Sequence, residues 1–533
     1  MQYDAIVVGA GHNGLVTAAY LARARLTVLV LERRAVVGGC AVTEEVDPDR
    51  APGCRVSTAS YIASMLRPTI IRDLALGEHG LRMVACDPGV QAAFREDGGD
   101  VVAWWADPAR MQAELGRIAA ADAEQFFRTE AELKRLAAYL QPFFLEPPPD
   151  PGARGFARFK EGARLWRRFR GISGQEIGEL TRFLTGSLGD FLDRRFGSDK
   201  LKRLILANSL YGKHGGPYQP GTAMGLLFHL LSGGDAEQQA WQGHVIGGMG
   251  AITQALRGAC EALDVTIRTG APVRQVNVAG GAATGVTLES GEVCDAKIVV
   301  SNADPKRTFL KLVAASELDE SFRRDVANIR MDGPAGKVNF VLAEEPRVLG
   351  MPAERSRGQR SLFTLIPTLE EAEANYNAAR AGRLPERLWV DCVLASNVDD
   401  TLAPPGRHML TCFVQHLPYR LRDGSWDERR EELGDRVTAL IGEYAPNVPG
   451  AVVARAVLAP PDLEARFGIT EGNIFHGDIA LEQMFFMRPL PGWSQYRTPV
   501  AKLYLCGAGT HPGGGVTGAP GYNAARQILR DWS

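Results

Sequence analysis

The chain opens on an unbroken apolar run. Residues Tyr3–Val8 (YDAIVV) lack the polar alternation of a half-exposed strand, so they predict a strand covered on both faces of a parallel sheet. From residue 13 to 25 the period changes, and Leu15, Ala18, Ala19, Leu21 and Ala22 recur at helical spacing. Residues 26–31 (LTVLVL) form a second apolar run that ends on Glu32. Strand, helix and strand thus follow one another directly. A similar order returns in mid-chain. Ile252, Leu256, Ala259 and Leu263 mark a helix, followed by the strand-like segments VTIRTG, PVRQVNV, GVTLES and KIVVSNA, the last ending at Ala303. Gly280-Gly281 and Ser290-Gly291 predict hairpin turns between them. A last apolar strand, 503–506, leads into a helix from Ala519. Residues 107–231 and about 305–481 carry helical patterns with fewer glycines.

The turns between these elements carry the chemistry. Gly9, Gly11 and Gly14 stand between the first strand and the helix. In such a unit the first glycine makes the tight turn, the second lets the backbone approach a pyrophosphate, and the third permits close helix–sheet packing. The helix N-terminus then faces the phosphates, and Glu32 is placed to accept hydrogen bonds from a ribose. Arg33, Arg34 and the pair Gly38-Gly39 follow, and that second pair lets a further backbone segment lie against the ligand, which an NAD site does not require.

A second cluster, Gly243, Gly247, Gly248 and Gly250, precedes the mid-chain helix. A third carries Gly507, Gly509, Gly513, Gly514, Gly515, Gly518 and Gly521. Gly513, Gly515 and Gly518 fit the dinucleotide spacing, but the chain ends too soon after them to complete a second βαβ unit. The third cluster therefore reads as strand, loop and helix closing over the same ligand.

Residues 4–45, DAIVVGAGHNGLVTAAYLARARLTVLVLERRAVVGGCAVTEE, resemble the FAD-binding start of the phytoene desaturase-like FAD-dependent oxidoreductases. The GAGHNGL form is most similar to the branch of that family holding the β-carotene ketolase-type enzymes. Cys40 stands where members often carry Arg. The resemblance covers the first 100 residues, 243–308 and 473–531. It implies an α/β fold, a Rossmann-type, glutathione-reductase-like FAD-binding domain interleaved with an α+β substrate domain. Residues 1–106, 241–308 and 481–533 would form the FAD-binding domain; 107–240 and 309–480 would form the substrate domain. It further implies noncovalent FAD, with Val273 offering its backbone to the adenine, and Gly507, Gly509, Gly515 and Val516 lying against the ribityl-diphosphate and flavin.

Composition agrees with a folded enzyme. Hydrophobic residues make up 45% of the 533 and charged ones 23%, which excludes a disordered chain. The 59 glycines exceed the some 37 expected at roughly 7%. Sixty basic residues against 62 acidic ones leave a net charge of −2, without the basic footprint of a nucleic-acid binder. The eight cysteines (Cys40, Cys54, Cys86, Cys260, Cys294, Cys392, Cys412 and Cys506) have no metal-binding or CxxC spacing, so reduced thiols in a cytoplasmic protein are expected. No metal-ligand set is evident.

One segment stands apart. Residues 154–170 hold Arg154, Arg158, Lys160, Arg164, Arg167, Arg168 and Arg170, interleaved with Phe156, Phe159, Trp166 and Phe169. Two readings fit: an interfacial helix that makes peripheral contact with anionic lipid, or a solvated helix whose aromatic side packs on the core.

A flavin accepts hydride, and the donor carbon must leave a cation stabilised by a polyene or by a nitrogen lone pair. The expected substrate is therefore a large apolar, polyene or isoprenoid-like molecule, with a flavin amine oxidase as the alternative. An FAD-free binding module like the GDP-dissociation inhibitors is the reading outside catalysis. GAGTH after the last strand, where many amine oxidases carry an acidic GE, favours the desaturase side. Reoxidation requires an external acceptor: oxygen, a quinone or another carrier. Three histidines are candidate catalytic groups: His511 within the last glycine loop, His476 in NIFHGD, and His214 in a polar loop after Tyr211. His12 reads as a polar turn residue capping the first helix.

Overall fold

The computed structural model describes residues 2–150, 152–212, 215–232 and 242–532. Two seven-stranded sheets carry the fold. In the first, Leu503–Leu505, Val293–Ser301, Tyr3–Val8, Val28–Leu31 and Thr266–Arg268 run parallel in that order. Val273–Ala279 and Ala282–Leu288 extend it as antiparallel hairpin strands, as the two turn signals predict.

The absence of alternation in YDAIVV has a direct cause. Ala5 and Val7 face the helices His12–Arg23, Gly250–Glu261 and Ala519–Trp532, while Ile6 and Val8 face a second apolar layer containing Val276, Val286, Phe309 and Phe322. Successive side chains point to opposite faces, and here both faces are dry.

The second sheet runs in the order Val452–Leu458, Ala335–Leu342, His408–Gln415, Val390–Leu394, Leu362–Leu365, Val90–Phe94 and Asp100–Trp104. Its pairings are antiparallel except between Leu362–Leu365 and Val90–Phe94. One face packs on the helix Trp426–Tyr444 through Val338, Phe340, Cys412 and Val414. The 90–104 hairpin therefore belongs to the second sheet, although the sequence boundary at 106 assigns it to the cofactor side. Its parallel partner lies some 270 residues onward, beyond the reach of any local pattern.

Residues 108–206 form helices around a separate apolar cluster. Side chains of Asp107, Ser173, Ser187 and Ser198 cap four of their N-termini. The two sheets and this helical layer enclose one main cavity of about 570 Å³.

Candidate functional site

The cavity begins where the first strand ends. Gly9 turns the chain with φ +98°, a conformation that favours glycine. Gly11 then enters the helix, whose start receives no side-chain cap, so its first N–H groups remain directed at the cavity. A Cβ at Gly14 would lie 2.2 Å from the Gly9 carbonyl, so this glycine serves chain packing. Glu32 accepts hydrogen bonds from the Ala10 N–H (2.8 Å) and the Arg34 N–H (2.9 Å). These two bonds tie the carboxylate to the glycine turn while it lines the cavity.

Of the residues expected to touch the cofactor, Gly9, Gly11, Glu32, Arg33, Val273, Gly515 and Val516 line this cavity. Gly14, Gly38, Gly39, Gly507 and Gly509 do not. A Cβ on Gly38 would meet the Ala41 carbonyl at 2.6 Å, and one on Gly39 would meet Gly11 Cα at 3.3 Å. The pair thus permits two loops to cross, and the residue delivered to the cavity is Cys40. Gly507 and Gly509 lie against the Asn302 carbonyl and Pro305, and Ala508 between them faces the cavity. The mid-chain cluster is also a crossing: Cβ atoms on Gly248 and Gly250 would strike Thr43.

The three candidate histidines separate. His476 lines the cavity with φ +56° and no partner for its Nδ1. Asn473 shapes its loop by accepting N–H bonds from Phe475 and Gly477, and burial lowers the imidazole pKa. His511 is buried away from the main cavity, with Nε2 2.7 Å from the Phe143 carbonyl, and burial pulls its pKa down to about 4. It lines a second, small apolar cavity instead. His214 lies outside the described residues. His12 caps nothing: it sits in the first helical turn, and its Nε2 lies 3.1 Å from the Gly515 carbonyl, joining the first and last glycine loops.

Further residues line the cavity. Asn302, at the end of a parallel strand, donates from Nδ2 to the Gly9 carbonyl (3.3 Å). At the opposite end, Tyr61 stacks on Phe413 with ring centres 5.2 Å apart, beside Ile62, Met65, Asn208, Tyr211, Phe228 and Gln242. Behind that stack Lys337 is buried, its Nζ donating to Thr411 Oγ1 (2.6 Å) and lying 4.5 Å from the Tyr61 ring centre. Burial pulls its pKa down to about 7. Asp391 shares the interior, bonded by Thr364 and Gln415, and burial pushes its carboxyl up to about 7.

A fourth element fixes the cavity wall. Arg488 is 2% exposed and donates to the carbonyls of Phe475, Gly477, Asp478, Gln483 and Ala508. One guanidinium fork thereby clamps the His476 loop to the last glycine loop.

The residues present fit a dinucleotide. The left-handed Gly9 and the uncapped helix start can receive a pyrophosphate. Glu32 and Val273 stand on the adenosine side, and Gly515, Val516 and Ala508 continue the cradle toward the Tyr61–Phe413 end.

Comparison with known proteins agrees with this geometry. A family profile described as flavin containing amine oxidoreductase matches residues 14–529. The chain is 36% identical to pyridine nucleotide-disulfide oxidoreductase domain-containing protein 2 of Mus musculus, over 99% of this chain and 94% of the relative. It is 25% identical to the lycopene-forming phytoene desaturase of Pseudescherichia vulneris, over 96% of each. A solved putrescine oxidase superposes with a TM-score of 0.58 at 17% identity, covering 100% of this chain and 99% of the other, a likeness of fold.

Proposed function

The chain belongs to the flavin containing amine oxidoreductase family and is an FAD-dependent oxidoreductase, and on that premise we propose its substrate class and mode of cofactor binding. FAD is held noncovalently, and the substrate is a large, uncharged, apolar molecule of the polyene or isoprenoid type. When bound, the flavin supplies a two-electron acceptor for hydride leaving a carbon. The chain does the rest. The turn at Gly9 and Gly11 and the helix start bind the pyrophosphate, and Glu32 accepts from the ribose. Ile62, Met65, Phe228, Phe413, Ile474 and Phe475 exclude water from the reacting end, and Asn208, Tyr211 and Gln242 orient the substrate there. His476, kept neutral by burial, faces the same space.

One observation carries the substrate class. Among the described lining residues the acids are Glu32, Glu289 and Asp304. The buried acid beside Tyr61 and Phe413, Asp391, does not line the cavity, is bonded by Thr364 and Gln415, and has its carboxyl pushed up to about 7 by burial. Glu32 is tied to the glycine turn, and Asp304 is tied to Thr470 and the Arg307 N–H. A buried ammonium without a counter-charge is strongly disfavoured, whereas an uncharged chain needs only apolar walls.

Anaerobic mixing of the flavin-loaded protein with a panel of polyenes, amines and alcohols tests this. Bleaching by uncharged polyenes and not by amines is expected. Bleaching by amines alone would replace the proposed class with amine oxidation.

A further inference from the structure

The helix Gly155–Phe169 resolves the two readings of its sequence. Phe156, Phe159 and Trp166 are 70%, 71% and 64% exposed. Their spacing of three and seven puts them on one side of the helix. Only Phe169 packs inward, stacking on Phe143 with ring centres 5.9 Å apart. The core-packing reading thus holds for one aromatic of four.

The cations divide in the same way. Arg164 and Arg168 pair with Glu146 at 3.4 and 3.3 Å, and Arg164 also with Glu161 at 2.8 Å. They fasten the helix to the protein. Arg154, Arg158, Lys160, Arg167 and Arg170 are exposed, and no described carboxylate pairs with them. Lys160 and Arg170 lie over the rings of Phe156 and Trp166 at 4.8 and 5.8 Å, so charge and apolar surface occupy one patch. Such a patch has one chemical complement: a surface with anionic groups outside and apolar matter beneath.

We propose that Gly155–Phe169 docks this protein on a membrane surface bearing anionic lipid, with Phe156, Phe159 and Trp166 entering the headgroup boundary and the five unpaired cations lying over the lipid phosphates. Ring side chains favour that boundary, and each nearby cation adds attraction that salt screens. Three rings with five charges give reversible, peripheral attachment; among the described residues no helix is long and apolar enough to cross a membrane. Docking also has a consequence that rests on the proposed substrate class. Arg168 and Phe169 lie on Phe143, which lines the second apolar cavity with Leu140, Phe144 and His511. Phe228 lines both that cavity and the main one. The docked helix would therefore hold the apolar interior close to the phase in which an apolar substrate dissolves.

Flotation of the FAD-loaded protein tests docking without reference to any substrate. Phosphatidylcholine vesicles with and without phosphatidylserine serve as probes. Wild type is expected to float with the phosphatidylserine vesicles alone, and less at high salt. One variant replaces Phe156, Phe159 and Trp166 with Ser; a second replaces Arg154, Arg158, Lys160, Arg167 and Arg170 with Gln. Each is expected to lose binding by roughly tenfold or more while keeping its far-ultraviolet circular dichroism and flavin spectrum. Equal flotation with neutral vesicles, no flotation with either kind, or flotation unchanged in both variants overturns the proposal. Capture by an acidic protein with no vesicle binding would also overturn it. None of these outcomes alters the substrate reading, which stands or falls on flavin bleaching.

Discussion

The first and last glycine-rich segments look alike in sequence and do different work. In the first, Gly9 and Gly11 face the cavity and only Gly14 faces the chain. In the last, Gly515 alone lines the cavity. Cβ atoms on Gly507, Gly509, Gly514, Gly518 and Gly521 would lie 2.2–2.7 Å from atoms of Asn302, Pro305, Phe475, Ile70 and Asn13, backbone at the first and last and side chain at the others. One segment is shaped by a ligand, the other chiefly by the elements that must cross there. Glycine content therefore measures close approach, and the partner in that approach is either a cofactor or the chain itself.

Substitutions that separate affinity from stability sharpen this contrast. The largest effect is expected at Gly521, where a Cβ would stand 2.2 Å from the Asn13 carbonyl, at the crossing of the first and last helices. Gly521→Ala should lower unfolding stability of the FAD-free protein by about 3 kcal/mol in denaturant titration. Where it remains folded, its FAD affinity should stay near wild type. Gly11→Ala should do the opposite. Its added Cβ comes within 3.0 Å of the side-chain Nδ2 of Asn302 alone, at 2.8 Å, and the backbone, with φ −68° and ψ 167°, is extended, a conformation any residue adopts. Stability should change by less than about 1 kcal/mol, while FAD affinity falls about a hundredfold, equivalent to about 2.7 kcal/mol. If both variants lose stability and affinity together, the two segments are not distinct in the way described.

Asn302 links the ligand-shaped turn to a neighbouring strand. Asn302→Ala removes the bond to the Gly9 carbonyl and should cost about 1 kcal/mol in stability, with a severalfold loss of FAD affinity in fluorescence titration. A smaller effect is expected at the far end of the cavity. Lys337 has a folded pKa near 7 against an ordinary 10.5, so the unfolded chain binds more protons between those values. Its contribution to stability is therefore lowest below about pH 7 and rises as the pH climbs toward 10.5. Lys337→Met should flatten that part of the stability–pH curve relative to wild type, and an unchanged slope would show that the ammonium is not desolvated there.

The contrast also explains what was legible in the sequence. The strand, glycine turn, helix, strand and Glu32 are contiguous, so one local pattern encodes both the fold and the ligand contact. Val273, Gly515 and Val516 were reached through resemblance, and each lines the cavity. Around Tyr61 no single contiguous pattern spans the site. Tyr61, Tyr211 and Phe413 come from three distant segments, and only the second sheet brings Phe413 beneath Tyr61. His511 stands amid the last glycine loop yet turns away, because its partner is the carbonyl of Phe143, 368 residues earlier. The 90–104 hairpin falls on the wrong side of the boundary at 106 for the same reason: the sheet it joins is chosen by a distant partner.

The proposed binding mode has FAD held by the glycine turn and the helix start without a covalent bond. Acid precipitation of the purified, FAD-incubated protein, followed by identification of the flavin in the supernatant, tests this most directly. Close to one equivalent of FAD released and a colourless pellet are expected. No flavin retained through purification and incubation, or flavin that stays with the precipitated chain, would contradict it.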